Sequence, residues 1–305
     1  MRLLIIGGTG FIGRHFVRAA RARGYEVGIA SRSARPDDDN LGTCDWVEGG
    51  IETLCEVPRI LAEYDWVCHL ASTVVPASSN ADPERDVREN LALFVRFLEA
   101  MRGQGADRLL YLSTGGALYG PPDYSPINED HPKRPVSSYG IVKVAAEMYL
   151  RMYREAYGLQ PAIVRPSNPY GPGQTSIGQL GAVNTFLSLA RDGREATIYG
   201  DGSIVRDFVH VDDLCAMLLA IVGRRASGTY NCGSGSGTSL NDLIAVVEEI
   251  TGKPLARRHM PARSVDPASV VLDITRARKD LGWAPEIALR DGVRQCWGSI
   301  SAREG

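Results

Sequence analysis

The chain has 305 residues, and its 34 Lys and Arg against 36 Asp and Glu leave a formal net charge of −2. That length suffices for one large or two modest domains with an ample core. The near-balance of charge excludes a general nucleic-acid or membrane-binding surface as the organising feature, and no apolar run approaches the ~18 residues of a membrane span.

Residues 2–6 read RLLII, an apolar run of the kind that forms a strand buried on both faces. It leads into GGTGFIG (7–13) and then RHFVRAARARGY, which has helical spacing and ends at Gly24. EVGIAS (26–31), WVEG (46–49), WVCHLAS (66–72), RLLYLST (108–114) and QPAIVRP (160–166) read as the second to sixth strands. Helical stretches lie between them, including 87–102 and 138–158. Alternation of this kind predicts an α/β fold, a Rossmann-like doubly wound parallel sheet. Beyond about residue 167 the texture changes. NPYGPGQTS is loop chemistry, 197–211 reads as a hairpin around Gly-Asp-Gly, and Asp212 and Asp213 stand where N-caps belong. A capped helix follows at 239–252, and 275–286 reads as a short helix stopped at Gly282 and Pro285. The predicted division is a dinucleotide-binding domain of 1–167 plus about 205–234, and a smaller mixed α/β substrate domain of about 168–204 plus 235–305.

The six cysteines (44, 55, 68, 215, 232, 296) and five histidines (15, 69, 131, 210, 259) are scattered without metal spacing. Free, mostly buried thiols in a reducing cytoplasm are expected, with no metal. The glycine motif stands where a secretory signal would lie, which supports the same expectation.

Strand, glycine turn and helix together aim unpaired helix N–H groups at a phosphate. Gly7 makes the tight turn, Gly10 lets a pyrophosphate approach the backbone, and Gly13 lets helix and strand pack closely, with Phe11 and Ile12 opening the helix beside the ligand. Tyr139 and Lys143, in YGIVK, lie one turn apart on one helix face. A phenol with a pKa near 10 is a poor base at neutral pH, but a nearby ammonium and a positive nicotinamide both favour its phenolate. Lysine suits that task as a compact charge that can also bond a ribose.

The Gly-x-x-Gly-x-x-Gly spacing resembles the short-chain dehydrogenase/reductase superfamily, and the hydroxyl, Tyr and Lys set resembles its catalytic triplet. RPSNPYGPG (165–173), RDFVHVDD (206–213), YNCGSG (230–235) and PARSVD (261–266) occur in the order seen in its extended branch, the UDP-galactose 4-epimerase-like nucleotide-sugar epimerases and 4-keto reductases. The resemblance implies a catalytic hydroxyl four residues before Tyr119, where this chain has Gly115. Thr114 is therefore taken as the hydroxyl, with Ser113 in reserve. The Asp-Glu pair of the family's dehydratases is absent, Gly115 to Ala117 standing there, which disfavours dehydration. The resemblance further places Leu70, Ala71 and Ser72 under the cofactor, Ile51 at the adenine, Pro166 by the nicotinamide, Asn90 near the lysine, and Asn168, Arg206, Arg263 and Asp266 on the substrate. Two forked arginines suit a diphosphate.

The second strand ends Ala30-Ser31-Arg32-Ser33, without the acid that grips an NAD ribose, so Arg32, with Ser31 or Ser33 adding a bond, favours NADP. Asp37, Asp38 or Asp39 in a shifted register would favour NAD instead. The reading that follows is an NAD(P)-dependent oxidoreductase acting at carbon 4 of a nucleoside-diphosphate sugar, taken as an NADPH-dependent 4-keto reductase. Its alternatives are an NAD-dependent 4-epimerase and a non-catalytic cofactor-binding relative. The family's habit of pairing two helices implies a homodimer through 90–102 and 140–157, with Leu93, Phe97, Met148 and Met152 as candidates.

Overall fold

The computed structural model describes residues 1–35, 41, 44–74, 79–174, 181–263 and 267–302. Its central sheet has seven strands. β1 (Arg2–Ile6), β2 (Glu26–Ser31), β3 (Asp45–Glu48), β4 (Trp66–His69), β5 (Arg108–Leu112) and β6 (Gln160–Pro166) follow in chain order. Spatially the order is Gly228–Cys232, β6, β5, β4, β1, β2, β3, and the pairings among β1 to β6 are all parallel. The order reverses between β1 and β4, the switch point at which open α/β sheets bind ligands. The sequence places this seventh strand within 205–234, the stretch expected to return to the first domain.

β1 is central, and Leu3, Leu4, Ile5 and Ile6 are all buried. Each contributes roughly 1.5–3 kcal/mol on leaving water. The core around it takes Val67, Leu109 and Ile163 from the sheet and Phe94, Phe97, Leu98, Ala146 and Leu150 from the Leu93–Gly103 and Ser138–Tyr157 helices. The stretch read as one helix from 87 begins instead with a π-helical turn at Val87–Ala92, a form that clusters at functional sites.

The chain divides into two compact units. The first is Met1–Leu118, Lys133–Arg165 and Cys215–Tyr230; the second is Tyr119–Pro132, Pro166–Leu214 and Asn231–Gly305. This partition puts 205–214 and 119–132 in the second unit, whereas the sequence expectation assigned both to the first. The second unit has its own core of Val183, Phe186, Leu187, Leu243, Ile244, Val247 and Val293.

Two local readings are corrected there. Residues 197–211 form no hairpin. Ala196–Tyr199 pairs in parallel with Arg257–Met260, while Val205–Arg206 pairs with Thr238–Ser239 and Ser269–Val270, so the arms on either side of the glycines find different partners. Asp212 and Asp213 lie inside the first turn of the Val211–Arg224 helix rather than capping it. The Asp213 carboxylate instead accepts the N–H groups of Glu286 and Ile287 at 3.0 and 3.1 Å. Ser239 does cap its helix, accepting from Asp242 N–H at 3.0 Å.

All six cysteines are free thiols, five of them buried. Among the described residues no group of His, Cys, Asp and Glu could hold a metal, and no helix is long and apolar enough to cross a membrane.

Gly13 fixes the contact between helix and turn. A Cβ there would stand 2.1 Å from the Gly7 carbonyl oxygen and 2.7 Å from Gly8 Cα. Gly13→Ala is expected to cost about 1–3 kcal/mol, read as a lowered urea midpoint; an unchanged midpoint would contradict this packing.

Candidate active site

The first functional element is the turn after β1. Gly7 has φ +87°, and a Cβ on it would press on Ala71 at about 3 Å. Gly10 is the N-cap of the Phe11–Ala22 helix and supplies no side-chain cap, so the first N–H groups of the helix keep no intrahelical acceptor. With the helix dipole behind them, these N–H groups form an anion cradle. The turn borders a cleft of about 420 Å³, lined also by Ser31, Arg32, Ile51, Leu70, Ala71 and Ser72. All six were assigned to the cofactor from the sequence. Thr9, Ser33, His69 and Asn90 line it too; Ser33 is the alternative to Ser31 beside Arg32, and only Thr9 and His69 had no assigned role. Phe11 and Ile12, at the start of the helix, are not among the residues that line the cleft. Ser31 Oγ lies 3.0 Å from Ser33 Oγ and 3.4 Å from Thr9 Oγ1, a hydroxyl cluster at the end of β2. Asp37 to Asp39, the alternative ribose acids, lie outside the described residues. The cradle, the hydroxyls and a cation fit a dinucleotide.

The second element is the end of β5 against the Ser138–Tyr157 helix. Ser137 caps that helix through Gly140 N–H at 3.2 Å, and Gly158 at φ +78° closes it. The Lys143 ammonium is buried and donates to the Leu112 carbonyl at 2.8 Å. It lies 4.6 Å from the Tyr111 ring centre and 5.7 Å from that of Tyr139. Thr114 is the hydroxyl that acts on the Tyr139 phenol, favouring its ionised form, although its place in the sequence is one residue early. The reason lies in the helix. A Cβ on Gly140 would stand 2.6 Å from the Ala117 carbonyl, so the loop after Thr114 presses against the residue next to Tyr139. Ser113, held in reserve as the hydroxyl, is engaged elsewhere: its Oγ donates to Glu147 Oε1 at 2.7 Å.

Electrostatics follow from burial. Desolvation pushes the Tyr139 phenol up to about 12, and the Thr114 side chain pulls the other way. Desolvation pushes the Lys143 ammonium down to about 8, against the attraction of Glu147 and Asp86. His69, buried beside the cleft, is lowered to about 3 by desolvation and then by Lys143, so it is neutral at physiological pH. Its ring lies 5.6 Å from that of Tyr111, which links the cleft to the Tyr-Lys pair.

Asp86 is fully buried and was not singled out from the sequence. It accepts from Ser138 Oγ at 2.8 Å and from Asn90 Nδ2 at 3.0 Å, and Asn90 also donates to Thr73 Oγ1 at 2.7 Å. An acid inside the run DPERDVREN carries no local signal of burial; Asp86 closes the Pro83–Asp86 turn just before the π-helical turn.

Asn168, Arg206 and Arg263, assigned to substrate, lie in the second unit, as does Pro166. Asn168 Nδ2 donates to the Asp207 carbonyl at 2.9 Å. Arg206 Nη1 donates to the carbonyls of Val205 and Pro267 at 2.9 and 2.8 Å, and the Arg263 guanidinium stacks on Tyr199 at 3.6 Å. Asp266 lies outside the described residues.

With its phenol near 12, Tyr139 in the cofactor-free protein stays protonated through the ordinary tyrosinate range of about pH 9–11. Ultraviolet titrations of the unaltered and Tyr139→Phe proteins are therefore expected to superimpose in that window; loss of one tyrosinate equivalent near pH 10 would contradict the burial.

The model of the NAD dependent epimerase/dehydratase family matches residues 3–233. A UDP-glucose 4-epimerase of Mycolicibacterium smegmatis is 36% identical over 302 residues, covering 96% of each chain. A dTDP-4-dehydro-6-deoxyglucose reductase of Escherichia coli is 29% identical, covering 99% of this chain and 98% of the relative. Among solved structures, the UDP-glucose 4-epimerase of Thermus thermophilus in complex with NAD superimposes with a TM-score of 0.90 at 32% identity, over 99% of each chain. By this match of site and sequence, the chain belongs to the NAD-dependent epimerase/dehydratase family, the extended branch of the short-chain dehydrogenases/reductases.

Proposed function

We propose that the chain interconverts the carbon-4 epimers of a UDP-hexose, of the glucose/galactose type, with NAD held in the cleft at the glycine turn. The carrying observation is the meeting of Thr114, Tyr139 and Lys143 at the end of β5, in the unit that bears the cleft. The Mycolicibacterium relative, a UDP-glucose 4-epimerase, supports epimerisation over the reductase favoured from sequence. Removal of a hydride from carbon 4 and its return to either face is the chemistry a bound nicotinamide supplies, and its positive ring adds the charge that Tyr139 lacks in the free protein. Tyr139 Oη takes the proton of the sugar 4-hydroxyl and gives it back, so the cycle consumes no proton. Thr114 holds the reacting oxygen in line, and the Lys143 ammonium favours the phenolate. Asn168, Arg206 and Arg263 are the proposed contacts for the sugar diphosphate, with Asp266 for the nucleoside.

Arg32 supports a second reading. A guanidinium flanked by Ser31 and Ser33 on the cleft suits a ribose phosphate, and with it an NADPH-dependent 4-keto reductase like the Escherichia coli relative. Incubation of pure protein with UDP-galactose and NAD separates the two. UDP-glucose formation is expected; NADPH oxidation by a 4-keto sugar without epimer formation would instead favour the reductase. Tyr139→Phe is expected to lower kcat about 10²–10⁴-fold.

Two copies are proposed to pair through the Ser138–Tyr157 helix. Ile141, Met148 and Met152 on that helix are 56%, 67% and 42% exposed. Phe97, a candidate from sequence, is fully buried in the core and takes no part. Light scattering is expected to give a dimer for the unaltered chain and a monomer for Met148→Glu with Met152→Glu; a dimer that survives both changes would refute this face. The free, buried cysteines support a reducing, cytoplasmic setting.

A further inference from the structure

Three successive residues at the end of β5 each grip the same helix. The Leu112 carbonyl takes the Lys143 ammonium at 2.8 Å, Ser113 Oγ donates to Glu147 Oε1 at 2.7 Å, and the Thr114 side chain acts on the Tyr139 phenol, favouring its ionised form. Positions 139, 143 and 147 fall on one helix face. Two of these grips belong to the reaction proposed above; the third has no part in it. Glu147 is 6% exposed and is held by Arg165, itself 2% exposed, through Nε to Oε1 at 2.9 Å and Nη2 to Oε2 at 2.6 Å. Lys133 Nζ approaches Oε2 at 3.8 Å.

A buried ion pair is a poor source of net stability, since desolvation offsets much of the attraction and an apolar pair of similar volume often serves as well. A forked, directional contact does offer register. If β5 slipped one residue along the helix, Gly115 would face Tyr139 and the hydroxyl would be lost. We propose that Glu147, held by Arg165 and Ser113, is a positioning residue for the reaction, fixing the register that brings Thr114 to Tyr139 and keeping negative charge one turn from Lys143. This rests on the hydride-transfer reading of the site.

The groups facing Lys143 are few. Glu147 and Tyr139 share its helix, Asp86 comes from the Pro83–Asp86 turn, Tyr111 from β5 and His69 from β4. Arg165 and Lys133 face Glu147. Neutralising Glu147 would remove the carboxylate that both cations face. Lys143, already lowered to about 8 by burial, would lose the larger of the two attractions that hold it up.

The chain has only four lysines (133, 143, 253 and 279), so side-chain NMR of 13C-labelled lysine can follow Lys143, assigned by its absence in Lys143→Arg. In Glu147→Gln the Lys143 titration midpoint is expected to move down by about one pH unit. The alkaline limb of kcat for UDP-galactose should move with it, and kcat should fall roughly 10- to 100-fold at constant KM. Ser113→Ala keeps the ion pair and cuts only the tie to β5. It is expected to leave the Lys143 midpoint in place while lowering kcat about 10-fold, and it decides the matter alone if Glu147→Gln does not fold. A folded Glu147→Gln with an unmoved Lys143 midpoint, or Ser113→Ala with the kcat of the unaltered chain, overturns the proposal. Should the unaltered chain not turn over UDP-galactose, the functional reading fails, while the Lys143 titration still tests the placement of Glu147.

Discussion

The site depends on burying an ammonium and a phenol together at the end of one strand. Burial alone would disable both, pushing the tyrosine up to about 12 and the lysine down to about 8. The fold compensates with specific neighbours rather than with solvent. A carbonyl of β5 and the carboxylates of Asp86 and Glu147 favour the charged lysine, and Thr114 favours the ionised tyrosine. Asp86 is fixed in turn by Ser138 and by Asn90 of the π-helical turn, and Glu147 by Arg165 and Ser113. The pair is thereby poised so that a further positive charge can complete it, which suits a residue meant to act only with cofactor present.

The glycine turn meets a separate constraint. Gly7 and Gly13 approach so closely that a Cβ on Gly13 would overlap the Gly7 carbonyl, and this closeness leaves the first N–H groups of the helix facing a cleft instead of a side chain. Hydroxyls of Thr9, Ser31 and Ser33 with the Arg32 guanidinium furnish its far edge.

Much of this was legible in the sequence, because the signals were local. β1, the glycine turn and the Tyr-x-x-x-Lys helix each announce themselves within a dozen residues, and the period of the apolar residues carries the parallel sheet. What escaped depends on tertiary contact. The offset of Thr114 looked like a defect, because nothing in STGGALYG shows that Gly140, twenty-odd residues on, admits the loop. Asp86 and Glu147 were not singled out, since burial by contacts distant in the chain, Ser138 for the one and Arg165 for the other, leaves no period behind. The supposed hairpin at 197–211 failed for a related reason: its glycines turn the chain, but its arms prefer partners more than thirty residues away.

The central claim is that hydrogen leaves and re-enters carbon 4 as a hydride within a closed site, while Tyr139 handles only the hydroxyl proton. UDP-galactose deuterated at carbon 4 tests this most directly. The account predicts UDP-glucose with the deuterium still on carbon 4, measured by mass spectrometry and NMR. Label washed out into solvent, or epimer formed equally well by Tyr139→Phe, would contradict it.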